Sequence, residues 1–200
     1  PPEFPVLTSV IRLAHDSWKE STIDEFVSLA VSNRKFANIH LSADEIKNAL
    51  KEKLAGFDSF DFSLAFKITN ALFVSAFEKN EILAIGDKNP VYSLYIQRLR
   101  LIFPEAKFIF LRRHLFSVVD SVYKTNFELH WPAVIAWQWK KSFRFAQRDL
   151  KQYSSFGFDL KYEDLVANPE KNLRDLCEFI QIPFSDKMLL FNSENQLAKT

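Results

Sequence analysis

Residues 107–123 read KFIFLRRHLFSVVDSVY, and this stretch decides the fold class. A β-favouring run at 107–111 leads into two arginines, after which an amphipathic helical pattern begins. In an α/β sheet, ligands bind where a strand ends, and the N-terminus of the following helix favours an anion. The stretch therefore predicts a strand, a ligand-binding turn and a helix.

Three side chains after this strand suit a phosphate. Arg113 supplies a planar, permanently charged fork, and Ser117 and Ser121 are spaced to lie on one helix face. The alternative is that Arg112 and Arg113 are surface residues at a strand end and that the serines are incidental. The residues alone leave both interpretations open.

Two further segments, at 82–85 and 158–162, also have the length and composition of strands. Like the first, each is followed by polar residues and then by a helical pattern. Strands that alternate with helices favour parallel pairing. We therefore predict an α/β fold, with a helix-rich, three-layer arrangement of a parallel sheet flanked by helices.

Helix-start signals recur along the chain. Residues 22–25 (TIDE) and 42–45 (SADE) have the form of a capping box. Residues 168–170 (NPE) combine a capping Asn, a first-turn proline and an acid, and the helix behind them is expected to run to about Gln181. The first 80 residues are mostly helical by pattern, and we expect them to form a lid or a side layer.

The loop after the second candidate strand carries a lysine. Gly86 permits a tight turn or a close approach, and Pro90 suits the start of the helix that follows. Lys88 would then project from the same sheet edge as Arg113, where a lysine can neutralise charge on a transferred group. The alternative is that Lys88 is a solvated loop residue.

The third candidate strand ends at Tyr162, which offers a hydroxyl for a phosphate or a ring for a nucleotide base. The alternative is that Tyr162 is only a strand residue and that Glu163 and Asp164 solvate the turn.

The bulk composition describes a globular domain. The chain has 200 residues, 48% of them apolar, with 26 basic and 25 acidic side chains. This length suffices for one sizeable core, and the balanced charge argues against a nucleic-acid partner. No apolar run reaches the length of a membrane span.

Several residue types are more easily explained by packing than by chemistry. Cys177, the only cysteine, lies in an apolar helical pattern and is expected in the core; its isolation fits a reducing compartment, so we expect a cytoplasmic location. Trp131, Trp137 and Trp139 lie in a long helical pattern and are also expected to pack the core. The four histidines show no metal-ligand spacing: His15, His40, His114 and His130.

Three segments occur in a characteristic order: GDKNP at 86–90, FPEAKFIFLRRHLFSVVDSVY at 103–123 and LKYEDLVANPEKNLRDLCEFIQIPF at 160–184. Together they resemble the sulfotransferases that use 3′-phosphoadenosine-5′-phosphosulfate (PAPS), especially the branch of tyrosyl-protein and bacterial carbohydrate or small-molecule enzymes. The resemblance covers residues 83–184. It implies an architecture like that of P-loop NTPases, PAPS as co-substrate and no metal. The sulfuryl group would pass to a hydroxyl or amine on a small-molecule, carbohydrate or peptide acceptor.

The resemblance also implies roles for particular residues. Arg113 and Ser121 match the residues that bind the 3′-phosphate of PAPS, and Tyr162 matches a tyrosine that contacts the nucleotide. Lys88 matches the lysine near the transferred sulfuryl group. Glu3 lies where a catalytic glutamate could fall, as a base for the acceptor hydroxyl. Equally, Glu3 is an ordinary charged residue near the N-terminus.

Two features depart from the family pattern. His114 and Leu115 stand where the family has an acidic or amide residue and then proline, so we assign His114 no catalytic role. The glycine- and serine-rich loop that holds the 5′-phosphosulfate is absent, and we expect its strand and loop to lie upstream of Pro1. We therefore interpret residues 1–200 as one N-terminally truncated domain. In this interpretation a helical acceptor-side or lid region at 1–80 precedes a nucleotide-binding part at 81–184.

Other functions remain open at this point. A module that binds the nucleotide without catalysis would fit the missing loop. A helical protein-interaction domain is a further alternative, for which Arg113 would be dispensable to ligand binding. A nucleotide kinase of related fold would need a Walker-type loop and a magnesium ligand.

Overall fold

The computed structural model describes residues 7, 10–15, 20–32, 36, 41–55, 62–75, 84, 86–124, 131–152 and 154–190. The chain divides into two compact units, Pro1–Asn89 and Pro90–Thr200, called here the N-terminal and C-terminal units. The expectation that the whole chain acts as one domain stays a prediction.

The N-terminal unit is mainly helical in its described residues. A 3₁₀ helix at Ile11–His15 precedes α1 (Glu20–Val31), α2 (Ala43–Leu54) and α3 (Phe62–Ser75). Apolar residues three or four apart on each helix turn inward, which is the spacing that buries one helical face. The buried side chains of the three helices include Ile23, Phe26, Val27, Ile46, Leu50, Leu54, Phe62, Phe66 and Phe73.

The two predicted capping boxes have different outcomes. At α2 the prediction is confirmed: Ser42 Oγ accepts from the Glu45 N–H at 3.2 Å, and Glu45 Oε2 accepts from the Ser42 N–H at 2.7 Å. At α1 it is wrong, because the helix already begins at Glu20 and Thr22 lies inside it. Residues 22–25 (TIDE) have the sequence of a capping box but lie within the helix.

The C-terminal unit is a helix-rich α/β structure with a small parallel sheet. Its strands β1 and β2 pair in parallel, from Phe108 opposite Gly157 to Arg112 opposite Lys161. The elements, in chain order, are a 3₁₀ helix at Pro90–Leu94, α4 (Ile96–Ile102), β1 (Phe108–Arg112), α5 (Leu115–Tyr123), α6 (Pro132–Gln152), β2 (Gly157–Lys161), α7 (Tyr162–Ala167), α8 (Pro169–Ile180) and a 3₁₀ helix at Asp186–Leu190.

Two of the three predicted strands are confirmed, each displaced by one residue. The strand predicted at 107–111 spans Phe108–Arg112, and that predicted at 158–162 spans Gly157–Lys161. The third, at 82–85, lies outside the described residues except for Ala84, which has no regular structure. Parallel pairing is thus observed, whereas the three-layer sheet stays a prediction.

The predicted start and end of α8 are confirmed. Asn168 occupies the N-cap position with Pro169 in the first turn, although the Asn168 side chain makes no capping hydrogen bond. The helix ends before Gln181, whose φ of 61° is left-handed. Cys177 is buried in the core, as expected.

Among the described residues, nothing requires a glycine at position 86. Its φ is not left-handed, and a Cβ placed there would have no atom within 4 Å. Neither a glycine-specific turn nor a close approach is therefore required at this position. Pro90, by contrast, begins a 3₁₀ helix.

Candidate functional site

The carboxyl ends of the two strands lie side by side, which brings together the loops that follow them. Because Arg112 is opposite Lys161 in the register, the turn after β1 adjoins the start of α7 after β2. Arg112 is held at this edge by Asp159. The Arg112 Nε–H donates to Asp159 Oδ1 at 2.7 Å. Arg112 is thus engaged within the sheet, while Arg113 is exposed in the turn beyond it.

Arg113 and Tyr162, both predicted site residues, meet at this edge. The Arg113 guanidinium carbon lies 4.7 Å from the centroid of the Tyr162 ring, within the range of a cation–π contact. Tyr162 is the first residue of α7 and its side chain is 39% exposed, so it is accessible to a ligand. The contact orients a permanent cation on an aromatic surface.

The N-terminus of α5 adds hydrogen-bond donors next to Arg113. His114 occupies its N-cap position and makes no side-chain capping bond, and the first-turn N–H groups lie outside the helix's own ladder. The partial positive charge of a helix N-terminus favours an anion. Ser117 is half-buried and Ser121 exposed, four residues apart on this helix. Arg113 and this helix end are chemically suited to a phosphate.

The peptide group that joins Arg113 to His114 has two side-chain partners that the sequence did not suggest. The Trp139 indole N–H donates to the Arg113 carbonyl oxygen at 3.1 Å. The Glu163 carboxylate accepts from the His114 N–H at 2.9 Å. Glu163 therefore does more than solvate a turn, which was the alternative considered for it. We call Arg113 and His114 the β1–α5 turn.

The surroundings of Glu163 favour its ionised form. Hydrogen bonds from the backbone N–H of His114 and from its own N–H lower the pKa of the Glu163 carboxyl below its ordinary value. The nearby charges of His114 and Arg113 act in the same direction. The carboxylate is thus a strong acceptor for the turn.

The predicted packing of the tryptophans is wrong for two of them. Trp131 and Trp137 are 74% and 60% exposed, and Trp131 precedes α6 instead of lying within it. Trp139 is half-buried and stacks on Phe143, with ring centroids 5.0 Å apart. An open groove of about 620 Å³ runs along this face of α6, lined by Leu115, Ala136, Trp137, Trp139, Lys140, Phe143, Arg144 and Gln147.

The remaining predicted site residues, Lys88 and Glu3, belong to the N-terminal unit. Lys88 is exposed at the end of the N-terminal unit, and its N–H donates to Asp87 Oδ1 at 2.9 Å. That Lys88 shares a sheet edge with Arg113 stays a prediction. Glu3 lies outside the described residues. His114 is exposed, in agreement with a surface role.

Neither a metal-ligand cluster nor a membrane-spanning helix occurs among the described residues. No cluster of three or more His, Cys, Asp or Glu side chains is placed to hold a metal ion there. Among the same residues, no helix combines the length and the apolar character needed to cross a lipid bilayer.

Comparison with known proteins assigns the chain to a family. A model of the sulfotransferase family matches residues 8–186, so the chain belongs to the sulfotransferase family. The match extends well beyond the segment 83–184 that carried the resemblance.

Two relatives share about half of the chain. A protein of Aquifex aeolicus without an assigned function is 28% identical over 127 residues, which cover 58% of this chain and 16% of that protein. A candidate protein-tyrosine sulfotransferase of Caenorhabditis elegans is 26% identical over 112 residues, covering 52% of this chain and 42% of that protein. The matched regions thus span less than half of either relative.

A solved structure supports the fold. The sulfotransferase domain from the curacin biosynthetic pathway matches with a TM-score of 0.51 at 21% identity, covering 94% of this chain and 66% of that one. At this identity the likeness concerns the fold alone.

Proposed function

We propose that this chain forms part of an enzyme that transfers a sulfuryl group from PAPS to a hydroxyl or amine, and that its C-terminal unit binds the 3′-phosphate of the nucleotide. Membership of the sulfotransferase family supports the reaction class. The observation that carries the nucleotide assignment is the placement of the exposed Arg113 between the Tyr162 ring and the N-terminus of α5.

The residues at this edge fit the group that PAPS would present. A 3′-phosphate is an anion with several acceptor oxygens, and Arg113 offers a fork of donors that cannot lose its charge. The α5 N-terminus and Ser121 would add neutral donors. Tyr162 would face the nucleotide with its hydroxyl or its ring.

PAPS itself would supply the activated sulfuryl group, so the protein's task is positioning and charge stabilisation. In this proposal Arg113 and Ser121 anchor the donor. Lys88 is assigned to neutralise charge on the transferred group, and Glu3 to accept the proton of the acceptor hydroxyl. The acceptor would be a small molecule, a carbohydrate or a peptide.

The test compares two nucleotides by calorimetry, 3′-phosphoadenosine-5′-phosphate and 5′-AMP. We expect the wild type to prefer the 3′-phosphorylated nucleotide. Arg113→Ala should reduce this preference by about ten- to a hundredfold, since a hydrogen bond to a charged group contributes about 1.5–3 kcal/mol. Arg113→Lys should recover only part of it, because lysine lacks the planar fork.

Lys124→Ala is the matched control, because Lys124 follows the opposite end of α5 and is equally a surface cation. The relatives extend well beyond the matched regions, so the measurement uses the natural full-length protein. A wild type that shows no preference, or an Arg113→Ala effect no larger than that of Lys124→Ala, would overturn the nucleotide assignment.

A non-catalytic nucleotide-binding module is the second candidate. It keeps the phosphate site formed by Arg113 and the N-terminus of α5 but transfers no group. A sulfuryl-transfer assay with PAPS separates the two: preferential binding without turnover on any acceptor class would support the module.

A further inference from the structure

The peptide group between Arg113 and His114 is restrained at both of its polar atoms. Its carbonyl oxygen accepts from Trp139 Nε1 at 3.1 Å, and its N–H donates to Glu163 Oε1 at 2.9 Å. Resting on the proposed function, we propose that Trp139 and Glu163 are positioning residues that fix this peptide plane and thereby aim Arg113 at the 3′-phosphate.

Hydrogen bonds at both polar atoms of this peptide resist rotation of its plane about the flanking bonds. Because the C=O and N–H of one peptide are rigidly opposed, fixing both sets the ψ of Arg113 and the φ of His114. Together with the φ of Arg113, these two angles fix the orientation of the Arg113 Cα–Cβ bond relative to β1 and α5. The two partners come from different elements, Trp139 from α6 and Glu163 from α7. If one helix moved, the hydrogen bond from the other would still hold the peptide group.

Trp139 is itself oriented by packing. Its indole stacks on Phe143 at an interplanar angle of 7°, and Phe143 in turn lies 6.3 Å from the ring of Phe110 in β1. The indole N–H finds its acceptor in the Arg113 carbonyl oxygen. The stack thus connects the strand that precedes the turn with the helix that holds its carbonyl.

Glu163 is an unexpected residue next to a site for an anion. Its negative charge lies close enough to Arg113 and His114 to interact with both, and it would repel a phosphate bound there. A direct ligand role is therefore excluded for the carboxylate. Its role is instead to accept the hydrogen bond from the His114 N–H, and the positioning of Arg113 by this bond offsets the repulsion.

The third restraint acts on the Arg113 side chain. Once the peptide plane is set, the guanidinium lies over the Tyr162 ring at 4.7 Å. Tyr162 and Glu163 are consecutive at the start of α7. The same turn of helix therefore contacts the Arg113 side chain through Tyr162 and the Arg113–His114 peptide through Glu163. The preorganised cation then loses less conformational freedom on binding.

The experiment measures the preference for 3′-phosphoadenosine-5′-phosphate over 5′-AMP in Glu163→Ala, Glu163→Gln and Trp139→Phe variants of the natural full-length protein. Glu163→Ala should reduce the preference about tenfold, as expected for loss of a charge-assisted hydrogen bond. Trp139→Phe, which keeps an aromatic ring for the stack, should reduce it about fivefold. Affinity for 5′-AMP should change little, which a general structural defect would not allow.

Glu163→Gln tests the mechanism directly, because its amide oxygen still accepts from the His114 N–H. It should recover most of the preference lost in Glu163→Ala. In the wild type, the NMR shift of the His114 amide proton should titrate with Glu163, as acid weakens the bond, and this transition should disappear in Glu163→Gln. His114, Asp164 and any bound nucleotide phosphate are the same in both proteins. The difference between the two titration curves therefore reports Glu163 alone.

The matched controls are Asp164→Asn, the neighbouring acid on α7, and Trp137→Phe, an exposed tryptophan of α6. Both should leave the preference unchanged. If the Glu163 and Trp139 variants also leave it unchanged while Arg113→Ala removes it, the positioning role is wrong and the proposed function stands. If the wild type has no preference, the proposed function fails first. Should Glu163→Ala not fold, Glu163→Gln and the His114 amide titration decide.

Discussion

At the scale of single residues, Asp149 is a carboxylate that is buried although the surrounding sequence RDLK suggests a solvated surface. It is 1% exposed, and its Oδ1 accepts from Gln97 Nε2 at 3.1 Å and from Arg148 Nε at 2.7 Å. Gln97 lies on α4 and Asp149 on α6, so the carboxylate ties two helices of the C-terminal unit together. A buried charge persists where such partners satisfy it.

We expect Asp149→Ala to lower the free energy of unfolding by about 2 kcal/mol, because it removes two hydrogen bonds and leaves a small void. Urea denaturation followed by tryptophan fluorescence would measure this, since three of the four tryptophans, Trp131, Trp137 and Trp139, lie in the same unit. Asp175→Ala, which removes an exposed carboxylate 4.0 Å from Lys171, should cost less than about 0.5 kcal/mol. Equal losses in the two variants would contradict a stabilising role for the buried carboxylate.

Individual contacts could be predicted only where the chain signals them locally. Arg113 and Tyr162 each follow a strand, and parallel pairing then brings them together. The partners of the Arg113–His114 peptide could not be predicted, because Trp139 and Glu163 are 26 and 49 residues away from the atoms that they bind. Nothing in the local sequence of either residue marks it as a partner of the turn.

At the scale of elements, the start of β2 depends on how closely it packs against α6. A Cβ on Gly157 would overlap Leu150 Cδ2, with Leu150 Cγ at 3.3 Å. Gly157 is also opposite Phe108, so the same residue begins the strand pairing. The absence of a side chain here lets the strand approach the helix.

Gly157→Ala should therefore destabilise the C-terminal unit by about 1–2 kcal/mol, the cost of displacing Leu150 in a packed interface. Gly86→Ala is the matched control: it adds the same methyl group where no atom lies within 4 Å, and should change stability by less than about 0.5 kcal/mol. Thermal denaturation of both variants measures the difference. A Gly157→Ala protein as stable as Gly86→Ala would show that Leu150 rotates away without cost.

Elements with a strong local signal were predictable, and those that depend on context were not. The β-favouring run before Arg112 and the capping box at Ser42 specify structure within a few residues, and both were confirmed. The same box at Thr22 failed, because residues preceding it already continue the helix. Trp131 and Trp137 are large apolar side chains of the kind that fill a core. Their exposure depends on which elements pack around α6, and the local sequence does not show this.

At the scale of the whole molecule, carboxylates with lowered pKa occur in both units. Hydrogen bonding to Lys47, and then the charges of Lys47 and Lys51, lower the pKa of Asp24. The backbone N–H and hydroxyl of Ser42 lower the pKa of Glu45, as His114 does for Glu163. Each group binds protons less readily in the folded than in the unfolded chain, so acid favours unfolding of both units.

The sign of the pH dependence follows from these directions. Stabilisation by the three carboxylates is present above their ordinary pKa values, 3.8 for Asp and 4.5 for Glu, and is lost as the pH falls through the lowered values. The urea midpoint of the wild type should thus decrease between pH 5 and pH 3, a window set by those ordinary values. The triple variant Asp24→Asn, Glu45→Gln, Glu163→Gln should have a lower urea midpoint at pH 7, and this midpoint should decrease less as the pH falls. Neutralising three other exposed acids, by Glu52→Gln, Glu105→Gln and Glu178→Gln, changes the net charge equally but should preserve the wild-type decrease. If both triple variants flatten the profile alike, general charge repulsion and not these hydrogen bonds controls the acid sensitivity.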